Sequence, residues 1–441
     1  MKFRKFGRIA LALAVSLGTG LGVTSCVTDN TIGYLWVTGS QYNQIAGYQI
    51  DNNLGNLFAA PNQPYPSGGV NPIRAVVATA GRYLYVLNAG CGGTSQVACP
   101  KGANPNQTGA NISLFTVGGQ GSLSFQQSYY SQGSLPVSIV ADAAGKYLYV
   151  LDSIVPDPTT CTGYVPTNPA TVCGDITAFN IDPNTGRLSL ISNQQVKNSA
   201  GTNLTYFPIG SHPIEFAIYS SSFIYTIEKG SGSAADPLQS VFVYALSDGT
   251  GQLTLTQNTP IPSNATNLTY IYASPKYVYL LDAGDGTTAG FILPYTSSTN
   301  GALQSLVGGA VANTGTTANP VAMLVEHQGN FVYVANQGPN LTPTSAASTV
   351  SAFFITPVTG LLQPLTSGTA SNGVPFGAGA GPHCIIEDPS NQYLYTANYD
   401  SSTVTGALFN QQAGTLTNLR KNSSFNTVGQ PTWCAASGTL F

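Results

Sequence analysis

Three ionisable side chains, Arg74, Glu215 and His383, stand out in a chain of which only 7% is charged. Each follows a proline by one or two residues at the start of an apolar run, in "NPIRAVV", "HPIEFAI" and "GPHCIIE". Hydrolysis of an ester needs a base that activates water and a positive group that holds the developing oxyanion. His383 or Glu215 could be the base, and Arg74 the positive group.

Each of these residues also has a purely structural interpretation. Arg74 and Glu215 could pair with each other to relieve a buried charge. His383 could be a hydrogen-bonded imidazole with no chemical role. His327, in the turn "EHQGN", is expected on the opposite face and in solvent.

Equivalent apolar runs elsewhere in the chain carry polar or aromatic residues at or near the same position. We expect these residues to line a binding site together with the three ionisable ones: Ser138, His212, Asn267, Thr432 and Trp433.

A second polar position closes the strand that follows each of these runs. It is occupied by Asn88, Asp152, Glu228, Asp282, Asn336 and Asn398. Such residues commonly bond to nearby backbone at a turn. A divalent cation held by Asp152, Glu228 and Asp282 is a weaker alternative, because carboxylates suit calcium but no compact ligand motif is present. No cofactor is otherwise expected.

A repeated strand organises the whole chain. "GRYLYVLN" at 81–88 returns as "GKYLYVLD" at 145–152, and more distant copies follow as "FIYTIE", "KYVYLLD", "NFVYVAN" and "QYLYTAN". Around each copy come a proline-led apolar run, the Tyr-x-Tyr strand, an alternating strand, and a turn with a polar strand. This gradient from apolar to polar predicts the blade of a β-propeller, innermost strand first, with the tyrosines as packing between blades.

The two ends of the chain are predicted to share one blade. Six complete sets are visible, and "GYLWVTG" and "QIAGYQI" at the start have no proline-led strand. The missing strand is "QPTWCAASGTLF" at the end, since the usual spacing from Pro431 leads on to Tyr34. We therefore predict an all-β, seven-bladed propeller of four-stranded antiparallel blades, closed by the C-terminal strand in blade 1. Closure removes exposed sheet edges.

The proline-led run, the turn and the strand "YLYVLN" or "FVYVAN" resemble the Tyr-Val-Thr-Asn propeller repeats. Within these, the chain from Tyr34 to Phe441 is most similar to the seven-bladed propeller lactonases that include bacterial 6-phosphogluconolactonase. Members tend to carry a His or Arg–His just after the blade proline, which "GPHCIIE" matches at His383. The resemblance implies hydrolysis of a cyclic ester at the central funnel.

The N-terminal segment predicts export. "MKFRKFGR" is basic, an apolar run follows, and "VTSC" resembles the lipobox of a bacterial lipoprotein. We expect residues 1–25 to be a signal peptide, Cys26 to be lipidated, 26–33 to be a linker and 34–441 to be the propeller. The protein would then be an exported, membrane-anchored lipoprotein that touches the membrane only through its lipid, on the periplasmic side or at the cell surface.

The spacing of the cysteines is typical of an exported protein that forms disulfides. Cys91 with Cys99, and Cys161 with Cys173, each close a short loop and predict disulfides. No His or further Cys lies nearby, so no metal site is expected there. Cys384 and Cys434 remain, and their pairing stays open.

The net charge of the chain argues against a nucleic-acid partner. The expected leader takes four of the 14 basic residues and leaves the 17 acidic ones, so the remainder is acidic. Nucleic acid would need a basic face. We expect a monomer whose partner is a small-molecule lactone. The alternative is a non-catalytic surface propeller that binds a glycan, protein or cell-wall ligand through its long loops, 91–99 and 161–173.

Overall fold

Seven antiparallel β-sheets follow one another around a ring in the computed structural model. It describes residues 30–91, 109–161, 173–229, 239–260, 265–284, 290–313, 319–338, 348–366, 368–369 and 372–438. The predicted signal peptide, the lipidation site Cys26, Cys99 and most of both predicted disulfide loops lie outside these residues. Within them no helix is long and apolar enough to cross a membrane.

The strands of each blade are called A to D, from the channel outward. In blades 2 to 4 they are Pro72–Ala78, Tyr83–Asn88, Asn111–Val117 and Leu123–Tyr129; Ser134–Ala141, Tyr147–Ile154, Cys173–Ile181 and Leu188–Leu190; and Pro213–Tyr219, Phe223–Glu228, Ser240–Leu246 and Leu253–Pro260. In blades 5 to 7 they are Leu268–Ala273, Val278–Asp282, Phe291–Ser297 and Leu303–Ser305; Pro320–Val325, Phe331–Asn336, Thr349–Ile355 and Leu362–Leu365; and Pro382–Glu387, Tyr393–Asn398, Thr403–Phe409 and Leu416–Asn418.

Short pieces complete the sheets. Five of them pair with strand C of blades 1, 3, 5, 6 and 7, namely Tyr65–Pro66, Phe207–Ser211, Val311–Ala312, Phe376–Gly377 and Ser424–Asn426. A hairpin of Gly368–Thr369 and Asn372–Gly373 extends blade 7 beyond its strand D. Two 3₁₀ turns are present in the described residues, at Gly119–Gly121 and Pro158–Cys161.

Blade 1 joins the two ends of the chain, as the sequence predicts. Its strand A is Pro431–Gly438, and strands B to D are Thr31–Gly39, Gln44–Asp51 and Leu57–Ala59. The closing strand pairs antiparallel with strand B, with Tyr34 opposite Ser437 and Trp36 opposite Ala435. Each strand A also contacts strand A of both neighbouring blades, so the inner strands form an unbroken wall around the channel.

The repeated aromatic pair clamps each blade to the next. In strand B of blade 2, Tyr83 packs on Gly186 in the next blade, and the hydroxyl of Tyr85 donates to the Gly186 carbonyl at 2.6 Å. A Cβ at Gly186 would lie 2.6 Å from the Tyr83 ring, and its φ is +68°, so glycine is required.

The packing on a glycine of the next blade recurs in all seven blades, and the hydrogen bond recurs in all but blade 5, where the Tyr279 hydroxyl has no partner among the described residues. The donor is Tyr149, Tyr225, Tyr333 and Tyr395 in blades 3, 4, 6 and 7, and the Trp36 indole in blade 1. These aromatic side chains are fully buried. The prediction that the Tyr-x-Tyr repeat is packing is confirmed.

Candidate active site

A β-bulge recurs at one fixed position in strand A of every blade. In blade 2, Pro72 lies opposite Asn88 but Arg74 lies opposite Leu87, so one residue is gained between them. The same shift occurs in strand A of all seven blades. Such a bulge re-aims side chains locally. The second residue after the blade proline, or after Leu268 in blade 5, therefore occupies one common position: Arg74, Ser138, Glu215, Tyr270, Ala322, Cys384 and Trp433.

Four of these side chains meet across the channel and are called the hub: Arg74, Glu215, Tyr270 and Trp433. Arg74 Nη2 lies 2.9 Å from Glu215 Oε2, which joins blades 2 and 4. The Arg74 guanidinium also stacks on the Trp433 ring of blade 1, at 4.1 Å from the ring centre. Tyr270 of blade 5 lies against the other side of this group, 6.2 Å from the Trp433 ring centre. The pairing of Arg74 with Glu215 that the sequence offered as their structural interpretation is present, and it crosses the channel.

Arg74 keeps hydrogen-bonding capacity in this position. Nη1 donates to the Ile73 carbonyl at 3.1 Å, and Nη2 donates to Glu215. Nε is buried and has no partner among the described residues. The side chain is 22% exposed whereas that of Glu215 is 4% exposed. A guanidinium has five N–H donors, so several remain for a ligand.

Glu215 is committed to holding the hub together. Oε2 accepts from Arg74 at 2.9 Å, and Oε1 accepts from the Phe216 amide at 3.1 Å. Burial, together with the negative charge of Glu215, raises the pKa of Tyr270 above its ordinary value, so this phenol stays protonated. Of the two candidate bases, Glu215 is the one whose oxygens are already engaged.

His383 lies in strand A of blade 7, one residue after Pro382, and its ring stacks on Tyr399 at 4.6 Å. Burial, with a smaller contribution from the positive charge of Arg74, lowers the pKa of His383 to about 4. The imidazole is therefore neutral at neutral pH and has a lone pair to accept a proton. Neither ring nitrogen has a hydrogen-bond partner within the described part of the chain.

A disulfide fixes this side of the channel. Cys384 and Cys434 are bonded, with 6.0 Å between their Cα atoms, and join strand A of blade 7 to strand A of blade 1. They follow His383 and Trp433 directly, so both side chains are placed by the same cross-link. The sequence left this pairing open. Cys161–Cys173 is confirmed, and Cys91 is disulfide-bonded as well.

The other predicted binding residues are distributed differently. Ser138 takes the hub position of blade 3 and is buried. Thr432 lies between blades, with its Oγ1 2.6 Å from the Pro72 carbonyl and 2.9 Å from Thr38 Oγ1. His212 precedes its strand and is exposed. His327 is exposed, and its backbone amide donates to Glu387 Oε2 at 2.8 Å.

Asn267, which the sequence placed among the binding residues, does not take the hub position of blade 5. Leu268 stands opposite Asp282, just as Pro72 stands opposite Asn88, so Leu268 fills the proline position and Tyr270 fills the hub position. The Asn267 amide donates to Asp282 Oδ1 at 2.9 Å. Blade 5 has no proline in this strand, so the sequence lacks the marker that sets the register elsewhere.

The polar residues that end strand B bond locally and are called the blade-end sites. Asn88 Nδ2 donates to Asn111 Oδ1 at 2.8 Å, and Asn336 Nδ2 donates to Ser351 at 2.8 Å. Asp282 accepts from the Thr266 and Asn267 amides, and Glu228 accepts from Thr226 Oγ1 at 2.9 Å.

The carboxylates that the sequence offered as a weak cation site therefore belong to separate blades. Asp152, Glu228 and Asp282 each bond to groups of their own blade or of the segment leading into it. Within the described residues no three His, Cys, Asp or Glu side chains gather closely enough to hold a metal ion.

Blade 3 contains a pair of buried acids at this position. Asp152 and Asp175 face each other across strands B and C and are completely buried. Asp152 Oδ1 accepts from Ser131 at 2.8 Å, whereas Asp152 Oδ2 and Asp175 Oδ1 have no partner among the described residues. Burial raises the pKa of Asp152 to about 7, and burial with the charge of Asp152 raises that of Asp175 well above its ordinary value.

Known proteins resemble this chain in part of its sequence and in its fold. Residues 239–435 match the family model described as lactonase, 7-bladed beta-propeller. This stretch includes Tyr270, His383 and Trp433 but not Arg74 or Glu215. No curated protein sequence matches the chain.

Solved structures extend the similarity to nearly the whole propeller. The periplasmic gluconolactonase PpgL of Pseudomonas aeruginosa is 16% identical with a TM-score of 0.63, over 93% of this chain and 100% of that one. A Lactobacillus plantarum protein is 18% identical with a TM-score of 0.63, over 92% and 99%. A Bacteroides fragilis protein described as a candidate 6-phosphogluconolactonase is 15% identical with a TM-score of 0.62, over 93% and 99%. At these identities the structures establish the seven-bladed fold.

Proposed function

We propose that this chain is a member of the seven-bladed lactonase family and hydrolyses a neutral sugar lactone where the hub residue Arg74 and His383 of blade 7 act together. The observation that carries the proposal is the convergence of Arg74, with unused N–H donors, and a neutral His383 at one end of the channel. The family match over residues 239–435 and the gluconolactonase among the structural neighbours support the same reaction class.

The reaction follows from the roles that these side chains can take. His383 accepts a proton from water as the water oxygen attacks the lactone carbonyl carbon. The N–H groups of Arg74 stabilise the oxyanion that forms on the carbonyl oxygen. The bond from the carbonyl carbon to the ring oxygen then breaks, and the ring oxygen takes the proton from the imidazolium. The product is an open-chain hydroxy acid. Glu215 positions Arg74 and takes no proton.

The charge of the hub supports an uncharged substrate. Glu215 balances the charge of Arg74, and His383 is neutral, so no net positive charge is left to bind a phosphate. This substrate class also fits the export that the N-terminal sequence predicts.

The test is hydrolysis of glucono-1,5-lactone by the purified protein, compared with the spontaneous rate and with the 6-phosphorylated lactone. We expect catalysis with the neutral lactone and a much smaller kcat/KM with the phosphorylated one. The triple variant Arg74→Ala, Glu215→Ala, His383→Ala should return the rate to background, whereas the matched blade-end variant Asp152→Asn should retain it. Unchanged turnover in the triple variant would show that the hub is not the active site.

A further inference from the structure

A pocket lies between blade 1 and the outer part of blade 7, away from the channel. It has a volume of about 300 Å³, and its walls come from blade 1 and from residues 426–429, which lead from the outermost piece of blade 7 toward the closing strand of blade 1. We call it the blade 1 pocket, and its principal residues are Tyr42, Gln44, Tyr48, Gln63, Asn426 and Gly429. Gly429 is four residues before Trp433, so one short stretch of chain runs from this pocket to the hub.

The pocket presents hydrogen-bonding groups that the protein does not use. Tyr42 is 63% exposed. The side-chain amides of Gln44, Gln63 and Asn426 have no hydrogen-bond partner within the described residues. Each amide carries two donors and an acceptor oxygen. An open aromatic face therefore stands beside three unpaired amides.

The walls of the pocket are held in place before any ligand arrives. Asn43, next to Tyr42, accepts from the Asn71 amide through Oδ1 at 2.7 Å, and its carbonyl accepts from the Ser67 amide at 2.9 Å. The Gln41 amide donates to the Gly429 carbonyl at 3.3 Å. Below them, the Tyr48 hydroxyl donates to the Asn426 carbonyl at 2.8 Å. A fixed wall reduces the ordering cost of binding.

The chemistry of the walls selects the ligand class. No charged residue lines the pocket, so a phosphate or an amine would lose its hydration without gaining a counter-charge. A sugar ring offers an apolar C–H face for the Tyr42 ring and neighbouring hydroxyls for amides that both donate and accept. A proline-rich peptide would need several open aromatic rings, and Tyr48 is only 5% exposed.

We propose that the blade 1 pocket binds a neutral carbohydrate, with Tyr42 stacked on the sugar ring and Gln44 and Gln63 bonded to its hydroxyls. This site is separate from the hub and does not depend on the reaction proposed there. It would hold a glycan at the end of blade 1 where its strand A begins.

The test is saturation-transfer NMR with glucose, galactose, mannose, N-acetylglucosamine, maltose and cellobiose. We expect at least one of these sugars to bind. Tyr42→Ala should weaken the binding of that sugar by about tenfold or more, the equivalent of 1.4 kcal/mol. Gln63→Ala should also weaken its binding. The control Tyr130→Ala removes a tyrosine that is equally open, 65% exposed, but outside the pocket. It should bind as the unaltered protein does.

The triple variant Arg74→Ala, Glu215→Ala, His383→Ala, here called the hub variant, separates this proposal from the lactone reaction. It should still bind the sugar, because none of its three residues lines the pocket. The proposal is overturned if no sugar of the set binds, if binding survives in Tyr42→Ala, or if binding is lost in the hub variant instead. A proline-rich peptide that binds in place of every sugar would also overturn it.

Discussion

The hub and the blade-end sites are both clusters of polar side chains near the end of the channel at which strand A of each blade begins, but they are assembled differently. Hub side chains come from blades 1, 2, 4 and 5 and meet across the axis. Blade-end side chains such as Asn88 bond within their own blade or to the segment leading into it. The hub keeps unused donors and some exposure, whereas the blade ends are fully buried.

This contrast separates binding capacity from structural support. A side chain that is satisfied within its own blade stabilises that blade and has little left for a ligand. Side chains gathered from several blades are brought together only by closure of the ring, and Arg74 keeps N–H donors there that no blade uses.

The largest effect is expected from Arg74→Ala. Loss of one oxyanion-stabilising cation should lower kcat/KM for the lactone by about 10²- to 10³-fold. Because the variant also leaves Glu215 buried and unpaired, its stability should fall as well.

A double variant resolves the two effects of Arg74. Arg74→Ala with Glu215→Ala should recover stability in urea unfolding without recovering turnover. Recovery of turnover in the double variant would mean that Arg74 serves only to neutralise Glu215.

The next largest effect is a dependence of folding stability on pH, and it comes from the acid pair of blade 3, Asp152 and Asp175. Because the pKa of Asp152 is raised to about 7, the folded state binds more protons than the unfolded chain above the ordinary carboxyl pKa. Stability from this pair should be complete below about pH 4 and should fall as pH rises toward 7, by at most about 1.4 kcal/mol per pH unit for each of the two acids.

Blade 2 supplies the matched substitution. Asn88 and Asn111 occupy the positions of Asp152 and Asp175, and Asn88 Nδ2 donates to Asn111 Oδ1. Asp152→Asn would offer the same donor to Asp175 and remove one of the two titrating groups. Urea unfolding across this pH range should show a flatter profile in Asp152→Asn and unchanged lactone turnover. Parallel profiles for the two proteins would mean that the pKa of Asp152 is not raised in the folded state.

A smaller effect is expected from Trp433→Leu, which removes the aromatic face beneath Arg74 at 4.1 Å. A cation–π contact of about 0.5–2 kcal/mol corresponds to roughly a 2- to 30-fold loss in kcat/KM. Trp433→Phe keeps an aromatic face and should retain most of the activity. Equal losses of kcat/KM in Trp433→Leu and Trp433→Phe would indicate that activity depends on the shape of the indole and not on its contact with Arg74.

The sequence predicted the ring because its signals are local and repeated. Tyr-x-Tyr strands and blade prolines recur at short range, so blade number, closure at Pro431 and the hub positions of Arg74 and Glu215 follow from counting along the chain. The same counting gave a wrong position in blade 5. There the missing proline hides the register that brings Tyr270 to the hub.

Pairings made by the closed ring could not be predicted from the sequence. Cys384 and Cys434 lie in different blades that meet only after closure, and the Tyr399 ring beneath His383 depends on the path of a turn. Asp175 carries no signal of its own, because only the strand register shows that it faces Asp152.

The central claim is that a neutral His383 beside Arg74 is the base of lactone hydrolysis. The most direct measurement is the pH profile of kcat/KM for glucono-1,5-lactone in the unaltered protein and in His383→Gln. Because the pKa of His383 is lowered to about 4, activity should stay level from neutral pH down to about pH 5 and fall only below it. His383→Gln should be about 10²-fold slower or worse. An acid limb at the ordinary imidazole pKa, or full activity in His383→Gln, would contradict the account.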